Sequence, residues 1–176
     1  MQSGVEMTDR TRNEATFANP ISFKNIGETA LQYYTDFANP QKTVYSWNNN
    51  LFYSIDAFVT ERVAMMFNYS HHIQTIRAKA PRLNFDVALM PQLKDTPSRV
   101  DYANYFAPAV SASSKNKAAA WKFLVHLASK EGSLSYLRQS LRPSARRDLI
   151  DFQKTDPDLG VFAKQSLTAR SWYQVD

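Results

Sequence analysis

Apolar residues form short continuous runs in some parts of the chain and follow helical spacing in others. Three runs, at residues 63–67, 83–92 and 102–112, predict strands because polar residues or proline bound each of them sharply. Pro108 makes the third an edge or crossing strand, since proline cannot donate to a sheet ladder. Strands separated by helices indicate the α/β class.

Helical spacing predicts seven helices around these strands. The first begins at Asn19-Pro20, which supply a cap and a first turn, and ends at Asn39-Pro40. The clearest helix follows a cap at Ser113-Ser114, and its apolar stripe consists of Trp121, Leu124, Val125 and Ala128. The next begins at the cap Ser129, turns Leu134, Leu137 and Leu141 inward, and stops at Pro143. Shorter helices are predicted near residues 54–60, 73–80, 145–153 and 157–170.

Composition narrows the class of protein. With 176 residues, of which 44% are hydrophobic and 13% aromatic, the chain can bury a core without staples, and disorder is excluded. The absence of cysteine excludes thiol nucleophiles, disulfides and cysteine-ligated zinc. No apolar run has the length of a membrane span, and the first residues lack a signal-peptide core.

The charge balance is basic, with 21 Lys and Arg against 16 Asp and Glu and a net charge of +5. Such a balance favours anionic partners, so a nucleic-acid-binding or other interaction module is the alternative function. The charges are scattered, however, and the densest patches mix with apolar residues at helical spacing. We interpret these patches as solvated helix faces; they consist of Lys115, Lys117, Lys122, Arg138, Arg142, Arg146 and Arg147.

The histidine pair at the end of the first predicted strand invites a chemical role. Adjacent residues point in different directions on a helix or a strand, so His71 and His72 do not make a metal site, and His126 has no carboxylate motif beside it. No nucleophile elbow or phosphate-binding glycine loop is present. An enzyme that uses His71 stays an open alternative, although the sequence nominates no substrate for it.

Aromatic side chains at predicted element ends are more informative. Their rings stack on an apolar ligand face and their polar atoms form hydrogen bonds, as recognition of sugars or nucleobases requires. Each residue alone also suits a half-buried position over the core. The set comprises Tyr69, Tyr102, Tyr105, Phe106, Trp172 and Tyr173.

Several motifs, in order, resemble the family 1 extracellular solute-binding proteins of ATP-binding-cassette importers, the maltose-binding-protein-like group. "DAFVTERVAMMFNYSHHIQTI" is similar to the strand that runs into a ligand-facing turn, and "FDVALMPQ" to a following strand. "YFAPAVSASSKNKAAAWKFLVHLASKEGS" is the most specific match, and "LQYYTDFANPQKTVYSWNN" and "LRPSARRDL" also match. The resemblance covers nearly the whole chain. Thr60-Glu61-Arg62 replaces the usual Glu-Gly-Lys, and His71 stands where many relatives carry a sugar-stacking tryptophan.

The resemblance implies an α/β fold, namely the C-terminal lobe of a two-lobed periplasmic-binding-protein-like fold, with mostly helices around a small sheet, present as a partial chain. Residues 1–107 would form the first part of this lobe. Residues 108–143 would cross the hinge and provide helices that pack on the missing N-terminal lobe, and residues 144–176 would return. Helices deprived of that lobe favour self-association.

The function implied is the substrate-binding component of an importer, extracytoplasmic and working with a membrane permease. No enzymatic activity, cofactor, metal or nucleic acid is expected. The solute would be a sugar or oligosaccharide in an inter-lobe cleft. The candidate ligand-binding residues are His71, Tyr69, Trp172, Tyr105, Asn104 and Trp47.

Overall fold

The structure is a computed structural model, which describes residues 2–9, 11, 14–21, 23–94, 96 and 99–172. This part of the chain is mostly helical, and its two strands, β1 and β2, form one small sheet. The elements, in chain order, are α1 (Ile26–Asp36), α2 (Ser54–Val59), α3 (His72–Lys79), β1 (Asp101–Tyr102), α4 (Lys117–Ala128), α5 (Lys130–Ser140), α6 (Arg147–Gln153), α7 (Gly160–Gln165) and β2 (Ala169–Arg170). Each helix in the described ranges is too short or too polar to span a bilayer.

The chain divides into two units. The first unit consists of the described residues of Met1–Met66, Met90–Tyr102 and Arg170–Asp176. The second unit consists of Phe67–Leu89 and Ala103–Ala169. The predicted division at residues 107 and 143 concerns the lobes of a larger fold and stays a prediction.

A buried polar network, which we call the aspartate clamp, ties together distant parts of the first unit. It consists of Gln2, Gln92, Arg99 and Asp101. The Asp101 carboxylate is only 3% exposed, and it accepts hydrogen bonds from Arg99 Nε at 2.8 Å and from Gln92 Nε2 at 3.3 Å. Gln92 Oε1 accepts from the Val100 amide at 2.9 Å, and Gln2 Nε2 donates to the Val100 carbonyl at 3.1 Å. Because each of these groups has partners, the charge is tolerated inside the protein.

The buried apolar side chains of the second unit come from α3, α6 and the start of α7. Ile73 and Ile76 of α3 are three residues apart, so they share the buried face of that helix. Helix α6 packs against α7. The remaining buried apolar residues of this unit are Leu149, Ile150, Leu159 and Ala163.

A tight elbow joins α4 to α5. Ser129 is the N-cap of α5, and its Oγ accepts the Gly132 amide at 3.1 Å. Gly132 lies directly against the end of α4, where an added Cβ would come within 2.2 Å of the His126 carbonyl oxygen. Only glycine fits this position, so the serine cap and the glycine together set the angle of the elbow.

Several predicted helices are confirmed. The helix predicted at 54–60 is α2, the one after residue 73 is α3, and the Ser129 cap of α5 forms as expected. The helices predicted at 145–153 and 157–170 are present but shorter, as α6 and α7. These elements carry their signals locally, in caps, apolar spacing and proline stops.

The strand predictions at 63–67 and 83–92 are wrong, and at 102–112 only the first residue belongs to a strand. Met65 is 87% exposed and Phe67 is 74% exposed, so the first run is not buried either. The chain passes between the units after residues 66 and 89, inside both of the failed strands. In the described part of the chain, no neighbouring strand forms hydrogen bonds with these two apolar runs, so they do not become part of a sheet.

Two predicted helix starts are also wrong. Asn19-Pro20 precede a turn in which the Ile21 and Lys24 backbones exchange hydrogen bonds of 2.9 and 3.0 Å. Phe23 in this turn has a φ of 63°, which interrupts a right-handed helix, so α1 begins only at Ile26. The N-cap of α4 is Asn116 rather than Ser113 or Ser114.

Helix α4 lies where its apolar spacing predicts, but that stripe is not buried. No residue of α4 is buried, with Trp121 56% exposed and Val125 67% exposed. The spacing of apolar residues therefore located this helix correctly, and the structure leaves its apolar stripe exposed.

Candidate functional site

The turn before α3 presents two neighbouring aromatic side chains. The His72 amide donates to the Tyr69 carbonyl at 3.1 Å, and the Ile73 amide donates to the Ser70 carbonyl at 3.1 Å. Ser70 is buried, whereas Tyr69 and His71 are exposed. The turn is thus held by its own backbone and by the buried face of α3, while its side chains remain accessible.

Three rings meet at this turn. The Tyr69 and His71 rings are stacked, with centroids 5.8 Å apart and planes 12° apart. The His72 ring lies beside His71, at 4.2 Å between centroids and 42° between planes. His72 Nδ1 is buried and has no hydrogen-bond partner in the described ranges. The turn therefore offers a flat aromatic face next to a polar atom that lacks a partner.

The connection from α5 to α6 carries Arg142, whose charge acts on His71 in this turn. Helix α5 ends at Ser140, and Leu141 adopts a left-handed conformation with φ 46° and ψ 50°. Gln153 is buried in α6; its Nε2 donates to the Arg142 carbonyl at 2.8 Å, and its Oε1 accepts the Ser144 amide at 2.7 Å. One amide side chain thereby fixes the backbone on both sides of Pro143.

The electrostatics of the turn are positive. Burial lowers the pKa of the His71 imidazole, and the neighbouring charges of His72 and Arg142 lower it further. Within the described part of the second unit, none of these three residues belongs to an ion pair. We refer to Tyr69, His71, His72 and Arg142 as the histidine–arginine cluster.

A second aromatic pair lies in the first unit. The Tyr102 and Trp172 rings are 4.9 Å apart between centroids, at 42°. Tyr102 is exposed and Trp172 is half-buried. Tyr102 is the last residue of β1 and Trp172 follows β2, so both aromatic residues lie at element ends, as expected.

The structure joins some of the predicted site residues and not others. It brings Tyr69 together with His71, and Trp172 together with Tyr102. Neither pair includes the half-buried Trp47 of the first unit or the exposed Asn104 and Tyr105 of the second. The role of all six candidates in ligand binding stays a prediction. Tyr173 lies outside the described residues.

Sequence reasoning missed two members of the cluster. His72 was considered only as a metal ligand, and no group of three or more metal-ligating side chains occurs in the part of the chain that the structure describes. Arg142 was interpreted as part of a solvated helix face, but it lies in the connection between α5 and α6. Pro143, which stops the helix, was the one signal in the sequence that could have shown that Arg142 lies beyond α5 whereas Arg138 lies within it.

A separate cavity of about 480 Å³ lies along α5. Its lining residues are spaced as one face of a single helix: Glu131, Leu134, Ser135, Arg138 and Gln139. A surface of this kind does not enclose a solute, so the histidine–arginine cluster is the better candidate site.

Comparison with known proteins identifies a family to which the chain is similar. The family described as bacterial extracellular solute-binding protein matches residues 1–159. No curated protein matches the chain.

Proposed function

The chain belongs to the bacterial extracellular solute-binding proteins, and we propose that the solute it receives is a sugar or short oligosaccharide. Membership implies an extracytoplasmic protein that binds a small solute and works with a membrane transporter. Proteins of this family are generally non-enzymatic. The maltose-binding-protein-like group is the finer assignment that we propose.

The single observation that carries the sugar proposal is the exposed stack of Tyr69 on His71, at 5.8 Å and 12°. A flat aromatic surface complements the apolar face of a pyranose ring, and polar atoms at its edge bond to hydroxyl groups. The His72 ring, with its two nitrogen atoms, lies beside the His71 ring of the stack. Trp172, Tyr105, Asn104 and Trp47 are proposed as additional contacts.

Two further aspects are part of the proposal. The chain would represent the C-terminal lobe of a two-lobed protein, and it would self-associate when that partner lobe is absent. The exposed apolar side chains of α4 support self-association, since surfaces of this kind are uncommon on monomers.

Titration calorimetry of the full-length protein against hexoses and short oligosaccharides tests the proposal. We expect Tyr69→Ala to weaken binding about tenfold, because an aromatic contact contributes about 0.5–1.5 kcal/mol beyond its area. The matched control is Tyr136→Ala, since Tyr136 is an exposed tyrosine on α5. The absence of heat with every sugar, or equal effects of the two variants, would contradict the proposal.

The alternative of a basic nucleic-acid-binding module predicts a different salt dependence. Binding through phosphate contacts weakens steeply as salt rises, whereas binding of a neutral sugar scarcely responds. Affinity for an oligonucleotide, measured at two salt concentrations, separates the two functions.

A further inference from the structure

Helix α4 presents its apolar stripe largely to solvent and carries only basic charge beside it. The stripe consists of Trp121, Leu124, Val125 and Ala128. Lys117 lies one turn before Trp121, and Lys122 lies one turn before Val125, so two exposed cations border the stripe. The helix contains no acidic residue. A partner for this surface therefore has to combine apolar side chains with negative charge.

The α4 helix of a second copy does not meet this requirement. Two α4 helices that paired along their apolar stripes would bring Lys117 and Lys122 of one copy close to the same residues of the other. Like charges at close range across an interface weaken association. The exposed apolar side chains of α4 therefore call for a different helix as their cover.

Helix α1 has the required chemistry. Its 11 residues match the 12 of α4 in length, and they include Glu28 and Asp36 but no lysine or arginine. Leu31 is 52% exposed and Tyr34 is 76% exposed, so α1 also has apolar side chains without cover. Asp36 forms an ion pair with Lys42 at 3.6 Å, whereas the exposed Glu28 lies one turn before Leu31 and borders these side chains. The other described helices of eight residues or more, α3 and α5, carry basic side chains.

We propose that α1 of a second copy packs on the apolar stripe of α4, with Glu28 of one copy beside Lys122 of the other. This inference rests on the self-association in the proposed function and specifies which surfaces meet. Because two different surfaces meet, the contact is heterologous. Burial of Trp121 against Leu31 and Tyr34 supplies the affinity, since large aromatic side chains dominate the energetics of interfaces. The opposite charges of α1 and α4 select this pairing over that of two α4 helices.

Sedimentation velocity of this chain over a range of concentrations tests the contact. Lys122→Glu brings two carboxylates together and should weaken association about tenfold or more, and Glu28→Lys should do the same by bringing two cations together. The double variant Lys122→Glu/Glu28→Lys restores opposite charges and should return association to within about threefold of the wild type. The matched control Lys164→Glu, at an exposed position of α7, should leave association unchanged.

The outcomes separate this inference from the proposed function. Association that neither single variant weakens, or that the double variant fails to restore, overturns α1 as the cover of α4 and leaves self-association standing. Stronger association of Lys122→Glu also overturns it, because the loss of a cation would favour a pairing of two α4 helices. A chain that remains monomeric at every concentration overturns both this inference and the proposed self-association. The sugar proposal is tested by calorimetry and is independent of each of these results.

Discussion

The aspartate clamp of the first unit and the histidine–arginine cluster of the second both gather polar side chains, but they treat charge in opposite ways. In the clamp, Asp101 is buried and Arg99, Gln92 and backbone groups surround it. In the cluster, the His72 ring lies 4.2 Å from that of His71, and Arg142 acts electrostatically on His71, without an ion pair in the described ranges. The charge of the clamp is balanced within the fold, whereas under the proposed function the cluster has its partner in the solute.

Under the proposed function, this difference separates a structural role from a binding role. Burial of a charge is tolerated when its partners are built into the fold, and removing one partner then costs stability. Like charges held together at a surface cost stability in the free protein, and the cost is recovered when an opposite charge binds. We therefore expect the clamp to respond to mutation in stability and the cluster to respond in affinity.

The largest expected effect is on stability, and it appears when one arginine of each region is replaced by methionine. Arg99→Met leaves the buried Asp101 carboxylate without its cation, and we expect a loss of about 3 kcal/mol in the free energy of unfolding. Arg142→Met should change that free energy by less than about 0.5 kcal/mol, because the half-buried Arg142 side chain forms no ion pair in the described ranges. Urea unfolding measures both variants. If they prove equally destabilising, the proposed difference between the regions is wrong.

A smaller effect is expected from the support beneath the cluster. Gln153→Met removes the hydrogen bonds to the Arg142 carbonyl and the Ser144 amide, and it leaves buried backbone groups unsatisfied. We expect a loss of about 2 kcal/mol in unfolding free energy. Gln139→Met, at an exposed position of α5, is the matched control. If Gln153→Met unfolds no more easily than this control, the backbone at residue 142 has another support.

The smallest effect concerns pH. The folded state holds the pKa of His71 below its ordinary value of 6.5, chiefly through burial and then through His72 and Arg142. Because the folded pKa is depressed, the stability contributed by neutral His71 is complete above about pH 6.5 and is lost as the pH falls through the folded pKa. His71→Gln should remove this part of the dependence of unfolding free energy on pH.

An NMR titration of His71 measures directly how Arg142 acts on its pKa. Arg142→Met should raise the pKa of His71, since a neighbouring positive charge is removed, and Arg138→Met should leave it unchanged. An unchanged pKa in Arg142→Met would mean that the guanidinium does not act on the cluster.

Local signals determined how much of the fold could be predicted. The Ser129 cap, the spacing of Ile73 and Ile76, and the apolar stripe of α4 each identified a helix from neighbouring residues. Strands depend on a distant partner, and the apolar run at 63–67 has no strand partner in the described ranges. Exposure of Trp121 could not be predicted either, because spacing defines a helix face but not what covers it.

The candidate site shows the same limit. Tyr69 and His71 are two residues apart, so their proximity was accessible from the sequence. Arg142 follows the left-handed Leu141 at the end of α5, and leucine carries no signal for that conformation. The course of the backbone at residue 142 could therefore not be predicted from the sequence.

The arrangement of the two units along the chain has a consequence for synthesis and evolution. The first unit combines three separated stretches, the last of which begins at Arg170, and the second unit combines two. On the ribosome, the first unit cannot gather all its parts until that last stretch has emerged, whereas the second has its complete sequence earlier. A single recombination event between related genes could not exchange either unit intact. New specificities would therefore arise by point substitution, at positions such as 71 and 142, more readily than by exchange of whole units.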